Sequence, residues 1–194
     1  MKEKEIIFEN VSVSFDKTQV LKDINLTIKQ GEVIGIMGAS GIGKTTFVKV
    51  LLGLIKPTLG KVYGLEKVRF SAVFQEDRLC ENFDAITNVQ MVLPADITAE
   101  QVEQEFLKVS LSDYKGKPVS KLSGGMKRRV AIVRAVMRKS DVIILDEPLK
   151  GFDEALKVQV LSYLRESLSG RTVILVTHHK EEVEALHAKL LYFS

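Results

Sequence analysis

A chain of 194 residues can bury one sizeable core, and with 45% apolar residues it is not of the intrinsically disordered class. Its 28 Lys and Arg against 25 Asp and Glu leave a formal charge of +3, too small by itself to argue for nucleic acid. Cys80 is the single cysteine, so an intramolecular disulfide is excluded and a reducing compartment fits.

The opening stretch "MKEKEIIFEN" lacks the apolar core of a signal peptide. The most membrane-like run, "VLLGLI" (50–55), falls far short of the roughly 20 apolar residues of a spanning helix. A soluble protein is expected, reaching a membrane only through a partner. The sequons at Asn10 and Asn25 read as chance matches.

In chain order, "IIFENVSVSF" (6–15) and "INLTI" (24–28) have the alternation and β-branching of strands, with "DKTQ" (16–19) as a turn between them. "EVIGIM" (32–37) is nearly continuous in apolar residues, as in a strand buried on both faces. A glycine-rich loop leads from it into "KTTFVKVLLGLI" (44–55), a helix pattern that stops before Pro57. "VRFSAVF" (68–74) predicts another strand. From about Gln75 to Arg138 the pattern turns helical: Thr98 and Gln101 form a capping box, Val102, Phe106 and Val109 follow at helical spacing, and a second helix starts near Gly124 with Ala131, Ile132, Ala135 and Val136 on one face. "DVIILD" (141–146) and "TVILVT" (172–177) resume the buried-strand pattern on either side of a helix over 154–168. This order predicts an α/β fold with a mainly parallel sheet, right-handed crossovers and an antiparallel N-terminal β part. The expected organisation is a core of residues 1–75 and 139–194, interrupted by a helical subdomain over 76–138.

"GASGIGKT" (38–45) matches the phosphate-loop pattern at every fixed position, between a buried strand and a helix. Gly38, Gly41 and Gly43 let the backbone curl so that its N–H groups face phosphates, and the helix start adds partial positive charge. Ala39, Ser40, Ile42 and Thr46 complete the nucleotide-binding stretch. Lys44, expected on the solvent side of the helix start, would pair with the β- and γ-phosphates, and the Thr45 hydroxyl would hold Mg²⁺. "VIILDE" (142–147) delivers Asp146 at a strand's carboxyl end, where it would hold Mg²⁺ through water. Glu147, one residue on, is placed to orient or deprotonate a water. "KLSGGMKRR" (121–129) puts a glycine pair at a second helix start, again suited to an anion.

With the phosphate loop upstream and "LDEP" downstream, "LSGGM" (122–126) makes the chain resemble the nucleotide-binding domain of ATP-binding cassette (ABC) transporters, over nearly its whole length. The resemblance implies a P-loop NTPase core and an ATPase using ATP and Mg²⁺. It implies that Ser123, Gly124 and Gly125 form the signature motif, and that Gln75 contacts Mg²⁺ and water. It implies that Asp153 ends the D-loop, His178 contacts the γ-phosphate and Phe15 stacks on adenine. Two such domains pack head to tail in that family, so that the loop at Lys44 of one and Ser123 of the other enclose one ATP. The implied partners are a second copy or a paralogous ATPase subunit, together with transmembrane permease subunits, on the inner face of the cell membrane. "VFQEDRL" and "ITNV" are similar to importers of the nitrate, sulfonate and taurine type.

The chain departs from the family pattern at Met126, where glutamine is usual, and at Leu149 and Lys150, where small hydroxyl residues are common. The stretch 58–68 is abbreviated, and a regulatory C-terminal domain is not expected. Lys127, Arg128, Arg129, Arg134 and Arg138 read either as a nucleic-acid face or as the exposed side of the signature helix. The second is expected, with no nucleic-acid partner. His178 and His179 lack further ligands at metal spacing. A non-transport role, in cell division, lipoprotein release or a DNA- or ribosome-bound clamp, is the alternative function.

Overall fold

The computed structural model describes residues 5–16 and 18–193. Met1–Lys4 of the opening stretch and Lys17 of the expected turn lie outside them. The chain divides into two compact units, one of Met1–Phe70, Ser140–Ile144 and Gly170–Ser194, the other of Ser71–Lys139 and Leu145–Ser169.

Strands β1 (Glu5–Phe15), β2 (Thr18–Lys29) and β4 (Leu59–Tyr63) form an antiparallel sheet in the order β2-β1-β4. A second sheet runs β5-β6-β7-β3-β8, from β5 (Phe70–Val73), β6 (Val142–Asp146), β7 (Thr172–Val176), β3 (Val33–Met37) and β8 (Lys189–Tyr192). Strand β3 is parallel to both neighbours, with Val33 opposite Val173 and Ile34 opposite Lys189. Every residue of β6 and β7 is buried, which is why these strands read as unbroken apolar runs. The α/β architecture expected from the sequence, mainly parallel with an antiparallel N-terminal part, is the one observed.

In the first unit, helix α1 (Lys44–Leu51) carries Phe47 onto Phe8, the rings stacked at 4.8 Å, and Phe193 meets Phe47 edge-on at 5.4 Å. The helix ends earlier than the apolar run suggested. Gly53 takes the left-handed conformation (φ 69°), and the N–H of Leu54 folds back to the Lys49 carbonyl at 2.8 Å. Helix α6 (Lys180–Ala185) precedes β8.

The second unit holds α2 (Ala85–Gln90), α3 (Ala99–Lys108), a single 3₁₀ turn (Val119–Lys121), α4 (Gly124–Met137) and α5 (Glu154–Ser167). Helices α2, α3 and α4 pack on one another, and α3 also meets α5. The capping box at Thr98 and Gln101 is formed in both directions. Phe106 and Tyr114 close the end of α3 with rings 4.8 Å apart, and the Tyr163 hydroxyl donates to Glu105 across to α5 at 2.8 Å. Among the described residues, no helix is long and apolar enough to cross a membrane.

Candidate functional site

In the first unit, the glycine-rich loop joins β3 to α1. Gly43, the N-cap of α1, has φ 106°, and a Cβ there would lie 2.6 Å from the Val20 carbonyl oxygen. A Cβ on Gly38 would lie 2.7 Å from the Phe193 carbonyl oxygen. Glycine is therefore required at both positions by close approach, to β2 on one side and to the residue after β8 on the other. The first turn of α1 has no acidic residue and no side-chain cap. Its N-terminus thus presents backbone N–H groups and partial positive charge with no carboxylate of its own first turn competing for them.

Lys44 was expected at the solvent side, but its residue is only 8% exposed. The reason is local: its ammonium curls over the loop and donates to the carbonyls of Gly38 at 2.7 Å and Ala39 at 2.8 Å. Ala39, Ser40, Gly41 and Thr45 are exposed, while Ile42 and Thr46 are half-buried. Because β3 and β7 are parallel and in register, with Ile36 opposite Val176, their carboxyl ends lie side by side. The structure thereby brings the loop and His178 to the same edge of the sheet, where open α/β sheets bind ligands. His178 is exposed and follows the buried Thr177, whose Oγ1 accepts from the His179 N–H at 3.1 Å. Phe15, at the end of β1, is 47% exposed, so its ring is not a core group.

In the second unit, β6 ends at Asp146, which is buried. Glu147 then adopts φ 48°, a left-handed conformation rare for a glutamate, and starts a turn. Within the turn, Lys150 N–H donates to the Glu147 carbonyl at 3.3 Å and Phe152 N–H to the Leu149 carbonyl at 3.2 Å. Asp153 caps α5 by accepting the Leu156 N–H at 2.9 Å. Ser123 caps α4 in the same way, through the Met126 N–H at 3.3 Å. Both Ser123 and Gly124 are exposed, and a Cβ on Gly124 would meet nothing within 4 Å, so the start of α4 is open.

The arginines after the signature motif do not form the exposed face expected of them. Arg128 is buried, and Arg129, Arg134 and Arg138 are half-buried. Each guanidinium donates to backbone carbonyls of neighbouring segments. Arg128 reaches Phe74 and, at 2.6 Å, Gln75, and pairs with the Asp77 carboxylate at 3.1 Å. Arg129 reaches Ser110 and, at 3.3 Å, Val109. Arg134 takes Arg78 and Asp77, at 3.1 and 3.2 Å, and Arg138 takes Val92 at 3.1 Å. Burial pushes the Asp77 carboxyl up, against the opposite pull of Arg128, Lys127 and Arg134. Gln75 is itself exposed, with its main chain fixed by Arg128. The signal for an inward Arg128 was present in the sequence, since it precedes Ile132 by one helical repeat of four.

A glycine-rich phosphate loop between a buried parallel strand and a helix defines a P-loop nucleotide-binding protein. The sequence pattern described as "ABC transporter" matches residues 21–150, and the chain belongs to that family as an ATP-binding domain. It is 36% identical over 206 aligned positions to the spermidine/putrescine import ATP-binding protein PotA of Fusobacterium nucleatum subsp. nucleatum. That alignment takes in 98% of this chain and 55% of the relative, so the chain spans about half the relative's length. Two solved structures share its fold at a TM-score of 0.84, each over 97% of this chain and 94% of theirs. One is the dimeric post-hydrolysis state of the ATP-binding cassette MJ0796 bound to ADP and Pi, 25% identical. The other is the dimeric structure of MJ0796, a bacterial ABC transporter cassette, 27% identical.

Proposed function

We propose that this chain hydrolyses ATP as the cassette subunit of an importer, in a head-to-tail pair with a second copy or a paralogue, on the inner face of the cell membrane against separate permease subunits. The observation that carries this reading is the open start of α4. Ser123 and Gly124 open a second helix start suited to an anion, exposed and uncovered, and the similar MJ0796 cassettes are dimeric. A second copy supplies the nucleotide that such an element needs. The import assignment rests on the similarity to an import ATP-binding protein.

The residues present suit Mg²⁺, a hard cation that takes oxygen ligands and keeps few protein ones. The exposed Thr45 hydroxyl and the buried Asp146 carboxylate would hold it, the latter through water, with Gln75 contributing. When bound, the ion neutralises phosphate charge. Lys44 shifts from the loop carbonyls to the phosphates, and the amides that open α1 orient them. Glu147 positions the water and accepts its proton, His178 contacts the γ-phosphate, Phe15 stacks on adenine and Asp153 contributes from the end of the D-loop.

Two measurements test this. Lys44→Ala is expected to weaken ATP binding about 10- to 100-fold by calorimetry, the scale of lost charge-assisted hydrogen bonds. Equal affinity in both proteins overturns the phosphate-loop assignment. For the shared site, Lys44→Ala and Ser123→Arg are each placed in a Glu147→Gln background and mixed with Mg-ATP. Neither alone is expected to dimerise, but a heterodimer retains one intact composite site, so size-exclusion chromatography should recover at most about half as dimer under random pairing. Recovery of dimer supports head-to-tail sharing, and a mixture that stays monomeric leaves it unsupported, since closure can require two bound ATPs.

A further inference from the structure

Lys150 stands three residues beyond Glu147, where the family pattern has a small side chain. Its ammonium lies 3.2 Å from a Glu147 carboxylate oxygen, and the backbones of the two residues are hydrogen-bonded across the same turn. The turn is pinned on both sides of Lys150 by buried Leu149 and Phe152. The glutamate side chain is 14% exposed and the lysine side chain 57%, so a cation reached from solvent caps a carboxylate at the rim of the interior.

We propose that Lys150 is a positioning residue that latches the Glu147 carboxylate, so that Glu147 takes up its water only when this ion pair opens. The inference rests on the role given to Glu147 above. An ammonium set against the carboxylate oxygen takes up part of the space a water would occupy, and its charge favours that placement of the carboxylate. The latch is weak, because the lysine regains water on leaving. Pairs with an exposed partner hold by up to about fivefold. That suits a restraint which slows turnover without stopping it.

The test is steady-state ATP hydrolysis by the whole chain with Mg-ATP. Lys150→Ala is expected to raise kcat about two- to fivefold with KM for ATP unchanged, since the lysine is assigned no contact with nucleotide. Lys150→Arg, which keeps a cation in reach, should stay near the wild-type rate. In a Glu147→Gln background Lys150→Ala should change nothing, because no carboxylate charge remains to be held. An unchanged or lowered kcat in Lys150→Ala, alongside a slow Glu147→Gln, overturns the latch alone. A gain that persists in the Glu147→Gln background overturns it as well. Near-normal turnover of Glu147→Gln itself overturns the role of Glu147 and the latch together.

Discussion

Glu147→Gln is expected to lower the rate of ATP turnover by at least about 10²-fold while ATP binding persists, the scale of losing a general base. The argument starts from β6, whose buried apolar residues end at Asp146 and leave Glu147 as the first residue beyond the strand. The left-handed turn at Glu147 takes the chain off the strand direction there, and its side chain remains largely shielded. Glutamine has the same shape and keeps hydrogen-bonding atoms, but it cannot accept a proton from water. Phosphate release under saturating Mg-ATP, with nucleotide affinity measured in parallel, separates the two properties. Turnover close to wild type would remove Glu147 from its assigned role.

Arg128→Ala is expected to destabilise the fold by about 3–5 kcal/mol, the range for removing one partner of a buried charged pair. The substitution leaves the Phe74 and Gln75 carbonyls without this donor and the Asp77 carboxylate without its 3.1 Å partner. Arg128→Lys keeps a cation near Asp77 but has no planar fork for two carbonyls, so an intermediate loss is expected. Lys139→Ala, at an exposed position one residue past Arg138, should stay within about 0.5 kcal/mol. Urea unfolding of the three variants ranks them. An Arg128→Ala midpoint equal to that of Lys139→Ala would show that the fan of hydrogen bonds contributes nothing.

The parts legible in the sequence are those where one strong local signal decides the structure. Strands β3, β6 and β7 are buried on both faces, so their apolar runs stand out, and Thr98 with Gln101 announces the start of α3. Strand β4 was not legible, because four of its five residues are exposed and it forms only by pairing with β1. Helices α2 and α6 have six residues each, too few for a helical period to show, and β8 is a short edge strand. The phosphate loop was recognisable residue by residue, yet the fold of the Lys44 ammonium back onto the loop carbonyls was not, since it depends on the loop's shape. Charge alone does not reveal the inward arginines, because helical phase sets Arg128 on the buried face with Ile132. Each guanidinium satisfies backbone carbonyls of neighbouring segments that no apolar residue could serve. The Lys150–Glu147 pair follows from the left-handed turn at Glu147, a geometry that spacing alone does not set.

The cap at the start of α4 leaves Ser123 a free hydroxyl hydrogen that another good cap would lack. Its oxygen accepts the Met126 N–H, and a hydroxyl that accepts in this way still has its own hydrogen to give to an incoming phosphate. Aspartate, an equally good cap for the helix, would accept the same N–H but present a second negative charge to the anion and no hydrogen. Asp153 shows that carboxylate solution at the start of α5. Helix stability alone would permit either residue at both starts, whereas the anion contact proposed for Ser123 would narrow the choice at position 123 to a side chain that gives and receives at once.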